Sequence, residues 1–406
     1  MNDAPSLNRR RFLQGLGLAS TGLALSPRTI LAHQEEQLFA NGTRPLVTFA
    51  QKRPMMLITT RPPHLETPFS VFNESLLTPN DAFFVRYNLA TIPTSIDASE
   101  YRLSLKGLVE RPLSISLEQL KQLGPAVELT AVQQCSGNSR GFSSPRVFGS
   151  QLGNGSMGNA RFTGLPLRTL LEHAGVKANA RQVTFQGMDR PVLPDTPPYI
   201  KALDIDLALS PEPMLAWAMN GEELPFLNGY PIKLIVPGYF ATYWVKHLNE
   251  IEVIDDVFTG AYMKSRYRIP DNECECTAPG KSATHTRPIG EMKVRSFITS
   301  LKTGDTVSAG GPTALRGIAF DGGSGIARVD ISDDGGNNWQ ATTLSQDMGR
   351  FAFREWKTTW RARTSGPVTL LVRASSKRGE IQPALATWNS SGYSRNVIEA
   401  LDLIAV

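Results

Sequence analysis

Residues 132–140 read Val132-Gln133-Gln134-Cys135-Ser136-Gly137-Asn138-Ser139-Arg140, the most informative run in the chain. Small and turn-forming residues follow Cys135 immediately, so its sulfur can lie exposed on a tight loop. The guanidinium of Arg140 favours the thiolate, which is the form that binds metal and which suits sulfur-rich transition-metal sites. On this chemistry alone, a buried structural cysteine remains the better explanation. A nucleophilic cysteine would need a histidine base, and none of the five histidines falls in a recognisable pairing with Cys135.

Other ordered blocks of sequence surround this run. They are Thr78-Pro79-Asn80-Asp81, Phe83-Phe84-Val85-Arg86-Tyr87-Asn88, Met157-Gly158-Asn159-Ala160-Arg161-Phe162-Thr163-Gly164, Ala218-Met219-Asn220-Gly221, Leu227-Asn228-Gly229-Tyr230-Pro231, Tyr243-Trp244-Val245-Lys246 and Tyr262-Met263-Lys264-Ser265-Arg266-Tyr267. Together with residues 134–140, these blocks resemble the molybdenum enzymes of the sulfite oxidase family. An ordered series of this kind is far more specific than a single motif. The resemblance reverses the interpretation of Cys135, which is now expected to bind molybdenum beside the two sulfurs of a molybdopterin dithiolene.

The resemblance also implies roles for residues outside the Cys135 run. Arg86 and Arg140 would face the substrate anion, because a planar guanidinium pairs well with oxyanions. Tyr267 falls where the family keeps a tyrosine near the metal oxo group, and its hydroxyl can donate a hydrogen bond to that oxygen. The expected cofactor-binding residues are Phe84, Val85, Arg86, Tyr87, Asn88, Cys135, Asp189, Asn228, Lys233 and Lys246.

The chain departs from the animal members of the family around the expected anion pocket. Asn88 and Asn228 stand where those enzymes carry histidine, and Lys233 stands where they carry arginine. Lysine supplies positive charge but not the bidentate fork of arginine. The animal enzymes also place a pocket arginine after a Trp-Asn pair, whereas Ser390-Ser391 follows that pair here. We expect Arg395 to take the place of the missing arginine.

The resemblance implies that a molybdenum–molybdopterin cofactor oxidises sulfite to sulfate. No Cys-x-x-Cys-His haem site occurs in these 406 residues, so we expect no haem in this chain and an external c-type cytochrome as electron acceptor. Two alternatives share the fold, namely a sulfur dehydrogenase subunit acting on protein-bound sulfur and a reductase of an oxyanion or a sulfoxide. A third alternative is an exported binding module with an inactive pterin pocket.

The strand and helix patterns predict two domains of different class. Short strand and helix patterns mix irregularly over residues 100–270, which favours an α+β domain over a doubly wound sheet. Beyond about residue 284, alternating strands joined by polar turns predict an all-β immunoglobulin-like sandwich. We therefore place a molybdopterin-binding catalytic domain at residues 36–280 and the sandwich at residues 281–406. In the family the second domain mediates dimerisation, so a homodimer is expected.

The first 35 residues carry the features of an export signal. Asn8-Arg9-Arg10-Arg11-Phe12-Leu13-Gln14 precedes a weakly apolar stretch that is too short to span a bilayer as a helix. The paired arginines resemble a twin-arginine signal, which exports folded, cofactor-loaded proteins. We expect a periplasmic protein with no membrane anchor after cleavage. The net charge of +5 includes no basic run beyond the first residues, which argues against nucleic-acid binding.

Cys274 and Cys276 are the remaining cysteines of the chain. Only Glu275 separates them, which is too tight for an unstrained disulfide in most backbones, so we expect two incidental loop cysteines. With three cysteines in all, the chain is not a disulfide scaffold. The irregular segment 274–281 is the expected linker between the two domains.

Overall fold

The computed structural model describes residues 36–39 and 42–406. The predicted export signal at residues 1–35 lies outside the described residues. Strands dominate the described part, and its α-helices are short. None of the helices described is long and apolar enough to cross a membrane.

Among the described residues, seventeen strands build the first region, and the last of them, β17, lies beyond the predicted end of the catalytic domain at residue 280. They are β1 (Glu36–Phe39), β2 (Gly42–Val47), β3 (Met55–Thr59), β4 (His64–Glu66), β5 (Val85–Arg86), β6 (Leu103–Gly107), β7 (Leu113–Ile115), β8 (Val127–Gln134), β9 (Met157–Pro166), β10 (Gln182–Gly187), β11 (Ile200–Asp204), β12 (Met214–Met219), β13 (Glu222–Glu223), β14 (Lys233–Ile235), β15 (Leu248–Ile254), β16 (Arg268–Pro270) and β17 (Thr286–Pro288). They form sheets of order β1-β2-β3-β4-β5, β11-β10-β15-β6-β7 and β13-β12-β9-β8, with β14 paired to β12 and β16 paired to β17.

Short helices connect these strands. The α-helices are α1 (Leu117–Gln122), α2 (Leu167–Ala174), α3 (Ile205–Ala208) and α4 (Ala261–Lys264), and single 3₁₀ turns cover Phe69–Asn73, Arg140–Phe142, Phe226–Asn228 and Ala241–Tyr243. The helix α1 lies within the stretch 100–270, where short helix patterns are predicted. The side chain of Ser116 accepts from the backbone N–H of Gln119, and the side chain of Gln119 accepts from the backbone N–H of Ser116. This reciprocal capping box satisfies two donors at the N-terminus of α1.

Nine further strands build the second region. They are β18 (Arg295–Ile298), β19 (Thr306–Val307), β20 (Thr313–Phe320), β21 (Ile326–Ser332), β22 (Gln340–Ala341), β23 (Thr343–Leu344), β24 (Arg354–Trp360), β25 (Gly366–Ser376) and β26 (Glu399–Ala405). They form two sheets, of order β18-β20-β24-β23 and β19-β26-β25-β21-β22. The predicted class, an α+β domain followed by an all-β sandwich, is confirmed.

The alternation of side chains along β25 explains why it lies within the sandwich. Leu370, Val372 and Ala374 point into its core, and the residues between them are more exposed. On β21, Val329 and Ile331 are buried, whereas Ala327 is exposed. A register shift between Ile326 and Arg328 interrupts the alternation at that point.

Two large hydrophobic cores and two small apolar clusters hold the described residues together. The larger core fills the catalytic region and continues into the sandwich through aromatic contacts such as Phe72 against Phe353. The backbone N–H of Val132, at the centre of β8, donates to the carbonyl of Phe351 at 2.8 Å. The strand that leads to Cys135 is thus fixed by both regions. The exact boundary at residues 280 and 281 stays a prediction.

Candidate active site

Cys135 follows immediately after β8, where pairing with β9 ends. The backbone N–H of Cys135 donates to the carbonyl of Ser156 at 2.9 Å, and the N–H of Asn138 donates to the carbonyl of Cys135 at 2.9 Å. The side chain of Asn138 then accepts from the N–H of Ser156 at 3.0 Å. This turn leaves the Cys135 thiol free and half-buried, as the small residues of the run predict.

A cavity of about 50 Å³ opens directly over the Cys135 turn. It is lined by ten of the residues predicted to form the site, namely Phe84, Arg86, Tyr87, Asn88, Cys135, Asp189, Asn228, Lys233, Lys246 and Tyr267. These residues come from separate parts of the chain, so the fold gathers what the sequence blocks only suggest. The cavity is therefore the candidate active site.

Three basic side chains line this cavity, namely Arg86, Lys233 and Lys246. Asp189 is the only acidic side chain in the cavity lining given above, and burial raises the pKa of Asp189 to about 6 despite the opposing charge of Lys246. Basic side chains thus outnumber the acidic one in a buried site, so the cavity is suited to an anionic group.

Lys233 is the most completely buried of the three cations. Its ammonium donates to Oε1 of Gln133 at 2.6 Å, and three aromatic rings lie within 5.8 Å of it. Burial, reinforced by the charge of Lys52, lowers the pKa of Lys233 to about 7. A bound anion would oppose that effect and restore the ammonium charge.

Comparison with known proteins identifies the family. Residues 89–262 match the oxidoreductase molybdopterin binding domain, and residues 286–400 match the Mo-co oxidoreductase dimerisation domain. Sulfite oxidase of Gallus gallus is 32% identical over 347 residues, which cover 82% of this chain and 74% of the relative. Sulfite oxidase of Arabidopsis thaliana is 31% identical over 312 residues, which cover 74% of this chain and 78% of the relative. The chain belongs to the sulfite oxidase family.

A solved structure agrees with this assignment at the level of the fold. The sulfane dehydrogenase SoxCD from Paracoccus pantotrophus superposes with a TM-score of 0.72, covering 96% of this chain and 94% of that chain at 24% identity. The resemblance inferred from sequence is thus confirmed, and the protein is a molybdopterin-dependent oxidoreductase.

The residues of the cavity fit the family's cofactor. The described residues hold no cluster of three or more His, Cys, Asp or Glu side chains that could bind a metal unaided. Cys135 is a single soft ligand, so a metal here needs further ligands from a cofactor such as the molybdopterin dithiolene. The buried basic side chains of Lys233 and Lys246 suit the phosphate of that cofactor.

Tyr267 and Asn88 form a hydrogen-bonded pair at the cavity wall. The Tyr267 hydroxyl donates to Oδ1 of Asn88 at 2.5 Å, and the backbone of Tyr267 adopts a φ of 56°, which is unusual for a non-glycine residue. Burial raises the pKa of Tyr267 above its ordinary value, so the phenol stays protonated. Asn88 thus directly holds the side chain that the resemblance places near the metal.

Three residues predicted for the site do not line the cavity. Val85 is buried in a separate apolar cluster, and Arg395 lies 5.7 Å from the ring of Phe142. Arg140 turns toward the sandwich region, where its Nε donates to the carbonyl of Ser391 at 2.7 Å. The charge of Arg140 still acts on Tyr267 and Tyr393, and it opposes the rise in their pKa values. The expected site roles of Val85, Arg140 and Arg395 stay predictions.

Several residues of the cavity were not predicted from sequence as site residues. They are Gln133, Ser136, Tyr199, Ala241, Thr242 and Trp244. Lys52 was also missed, although its ammonium donates to Oδ1 of Asn228 at 2.6 Å and to the carbonyl of Phe83 at 2.9 Å. Gln133 lies in the run 132–140 and Trp244 in the block 243–246, so membership of these motifs could have identified both residues. Lys52 precedes every block and carries no motif.

The structure also corrects the expectation for Cys274 and Cys276. The two cysteines form a disulfide across Glu275, whereas we expected incidental loop cysteines. Glu275 adopts a φ of 51°, and its buried carboxylate pairs with Arg287 at 2.6 Å and with Lys293 at 3.0 Å. A left-handed residue between the cysteines bends the backbone enough to bring the two sulfurs together.

Proposed function

We propose that this protein oxidises sulfite to sulfate and passes the electrons one at a time to an external c-type cytochrome in the periplasm. The observation that carries the proposal is the convergence of Cys135, Arg86 and Tyr267 on one small cavity. Its two relatives described above are named sulfite oxidases, which supports sulfite as the substrate. Overall, sulfite and water yield sulfate, two protons and two electrons.

Lys233, Lys246 and Cys135 would hold the cofactor. Molybdenum–molybdopterin supplies the oxygen-atom transfer and the two-electron redox chemistry when it is bound. The ammonium groups of Lys233 and Lys246 would neutralise its phosphate, and the thiolate of Cys135 would bind the metal. Asn228 is fixed between Lys52 and the carbonyl of Phe84, so its position in the cavity does not depend on the ligand.

Arg86 and Tyr267 would place the substrate anion. Arg86 lines the cavity, where its guanidinium can pair with a sulfite oxyanion. The protonated Tyr267 hydroxyl can donate to an oxygen that gains negative charge during the reaction. Asn88 holds that hydroxyl at the cavity wall, which limits the rearrangement needed on substrate binding.

The external acceptor, the dimer and the location are further parts of the proposal. The absence of a Cys-x-x-Cys-His motif from these 406 residues supports an electron acceptor on another chain. The match of residues 286–400 to a dimerisation domain supports a homodimer. The paired arginines at residues 9–11 support export to the periplasm.

Sulfite-dependent reduction of ferricytochrome c by the purified, molybdenum-loaded protein tests the proposal. We expect turnover with sulfite, and a loss of about 10²-fold or more in kcat/KM for Arg86→Met, because the variant removes the charge that binds the anion. Arg102→Met, which changes an exposed arginine far from the cavity, should retain turnover. No turnover with sulfite, together with turnover on a protein-bound persulfide, would instead establish the sulfur dehydrogenase alternative.

A further inference from the structure

A second, larger cavity lies beside the candidate active site. It has a volume of about 760 Å³ and is lined by side chains from residues 272–275, 293–294 and 380–396, and we call it the outer cleft. No described residue lines both the active-site cavity and the outer cleft. The two spaces are therefore separated by protein.

Two tyrosine rings form the partition. Tyr267 lines the active-site cavity and Tyr393 lines the outer cleft, and their rings stack in parallel at 5.7 Å between centroids with 9° between planes. Next to the rings, the backbone N–H of Ser394 donates to the carbonyl of Ser136 at 3.2 Å. At this point the two stacked rings separate the two cavities. Tyr393, on the side of the outer cleft, belongs to the sandwich region.

The segment that carries Tyr393 is firmly held. The Asn389 side chain accepts from the N–H of Tyr393 at 3.0 Å and donates to its carbonyl at 2.9 Å. Arg140 places its guanidinium 5.1 Å from the centre of the Tyr393 ring while it donates to the carbonyl of Ser391. At Gly392, where φ is +59°, a Cβ atom would lie 2.8 Å from Cγ of Arg140. The close fit makes the Tyr393 ring a fixed wall.

We propose that Tyr393 is a specificity-determining residue, whose ring backs Tyr267 and thereby limits the size of the substrates that the active-site cavity accepts. This inference rests on the proposed function, because it concerns which sulfur oxyanions that cavity takes. Sulfite carries only oxygen atoms on its sulfur and fits a small cavity. A sulfinate with an aromatic substituent needs the Tyr267 ring to move outwards, and the Tyr393 ring fills the space on the far side of Tyr267.

Benzenesulfinate is the probe that tests the size limit. Its oxidation adds one oxygen atom from water to the sulfur and gives benzenesulfonate, two protons and two electrons, which two equivalents of ferricyanide accept. We expect the wild-type holoenzyme to oxidise sulfite and to discriminate strongly against benzenesulfinate. In Tyr393→Ala we expect the ratio of kcat/KM for benzenesulfinate to kcat/KM for sulfite to rise by about tenfold or more, which is the range that one contact in a substrate pocket produces.

Three further variants separate a size effect from a general disturbance. Tyr393→Leu shortens the wall but keeps an apolar side chain against Tyr267, and it replaces Tyr393→Ala if that variant does not fold. Tyr393→Phe keeps the ring and should retain the wild-type discrimination. Ile381→Ala enlarges the outer cleft at an exposed position away from the ring stack, and it should also leave discrimination unchanged.

Calorimetric binding of the two products gives a readout that does not depend on turnover. Sulfate should bind the wild type and Tyr393→Ala alike, whereas benzenesulfonate should bind the variant at least about tenfold more tightly. Wild-type enzyme that already accepts benzenesulfinate, or a variant that gains neither turnover nor binding, would overturn the role of Tyr393. Absence of sulfite turnover in the wild type would instead overturn the proposed function, and the binding measurements would still decide the role of Tyr393.

Discussion

The hydroxyl of Tyr87 and Nε2 of His247 lie 2.6 Å apart and are both buried. Nδ1 of His247 lies 2.5 Å from the carbonyl of Tyr230, which can only accept, so Nδ1 carries the proton and Nε2 accepts from Tyr87. Burial lowers the pKa of His247 to about 3, which keeps the ring neutral. The orientation of Tyr87 matters because Nζ of Lys246 lies 3.0 Å from the centre of its ring.

His247→Phe should weaken cofactor retention without abolishing folding. The variant removes the acceptor of the Tyr87 hydroxyl, so the ring that faces Lys246 loses its fixed orientation. Loss of such supporting contacts typically costs about 10- to 100-fold in metal affinity. Molybdenum content after extended dialysis measures the effect, with His173→Phe, at an exposed position, as the matched control. Equal retention in both variants would show that the Tyr87–His247 bond does not support the site.

Tyr267→Phe should lower the turnover number for sulfite by about 10- to 100-fold, because it removes a donor aimed at developing negative charge. Asn88→Leu should produce a smaller loss, because it keeps the hydroxyl but releases it from its acceptor. Steady-state kinetics of the two single variants and the double variant measure this coupling. If the effects of the two single changes simply add, the hydrogen bond does not position Tyr267.

Lys201 should make the free energy of unfolding of the protein increase with pH in the alkaline range. Its buried ammonium donates to the carbonyl of Tyr262 at 2.8 Å and lies 4.5 Å from the ring of Tyr243. Burial, together with the charge of Arg268, lowers the pKa of Lys201 from 10.5 to about 7. Between these two values the unfolded chain binds the proton that the native protein has lost, so this contribution to the free energy of unfolding increases with pH.

Lys201→Met removes that contribution. Between pH 7.5 and 9.5, the difference in unfolding free energy between wild type and variant should change by about 1.4 kcal/mol per pH unit in favour of the wild type. Urea unfolding at several pH values measures it, and Lys302→Met, at an exposed position, serves as the control. Parallel pH profiles for wild type and Lys201→Met would mean that Lys201 keeps the same protonation state in both forms of the chain.

The sequence was sufficient for the fold class and for most of the cavity. Local patterns account for this success. A few neighbouring residues determine each of three features, namely the turn after Cys135, the capping box at Ser116 and the alternation along β25. The long-range contacts could not be predicted in the same way. Arg140 turns to Ser391, far along the chain, and no local pattern records that the sandwich packs there.

The dependence on long-range contacts also explains the other differences between the sequence-based expectations and the structure. Tyr393 belongs to no quoted block, and its importance follows from its stacking on Tyr267. Lys52 is important only because three oxygen atoms from distant segments converge on its ammonium. The pairing of Cys274 with Cys276 depends on the backbone conformation of Glu275, which the composition of the segment does not specify.

X-ray absorption at the molybdenum edge tests the metal assignment most directly. The spectra of the wild-type holoenzyme and of Cys135→Ser would be compared, with sulfite turnover measured on the same samples. We predict one sulfur fewer around molybdenum in the variant, together with loss of turnover and retention of the pterin. The same number of sulfur neighbours in both proteins, with full activity in the variant, would contradict the assignment of Cys135 as the ligand.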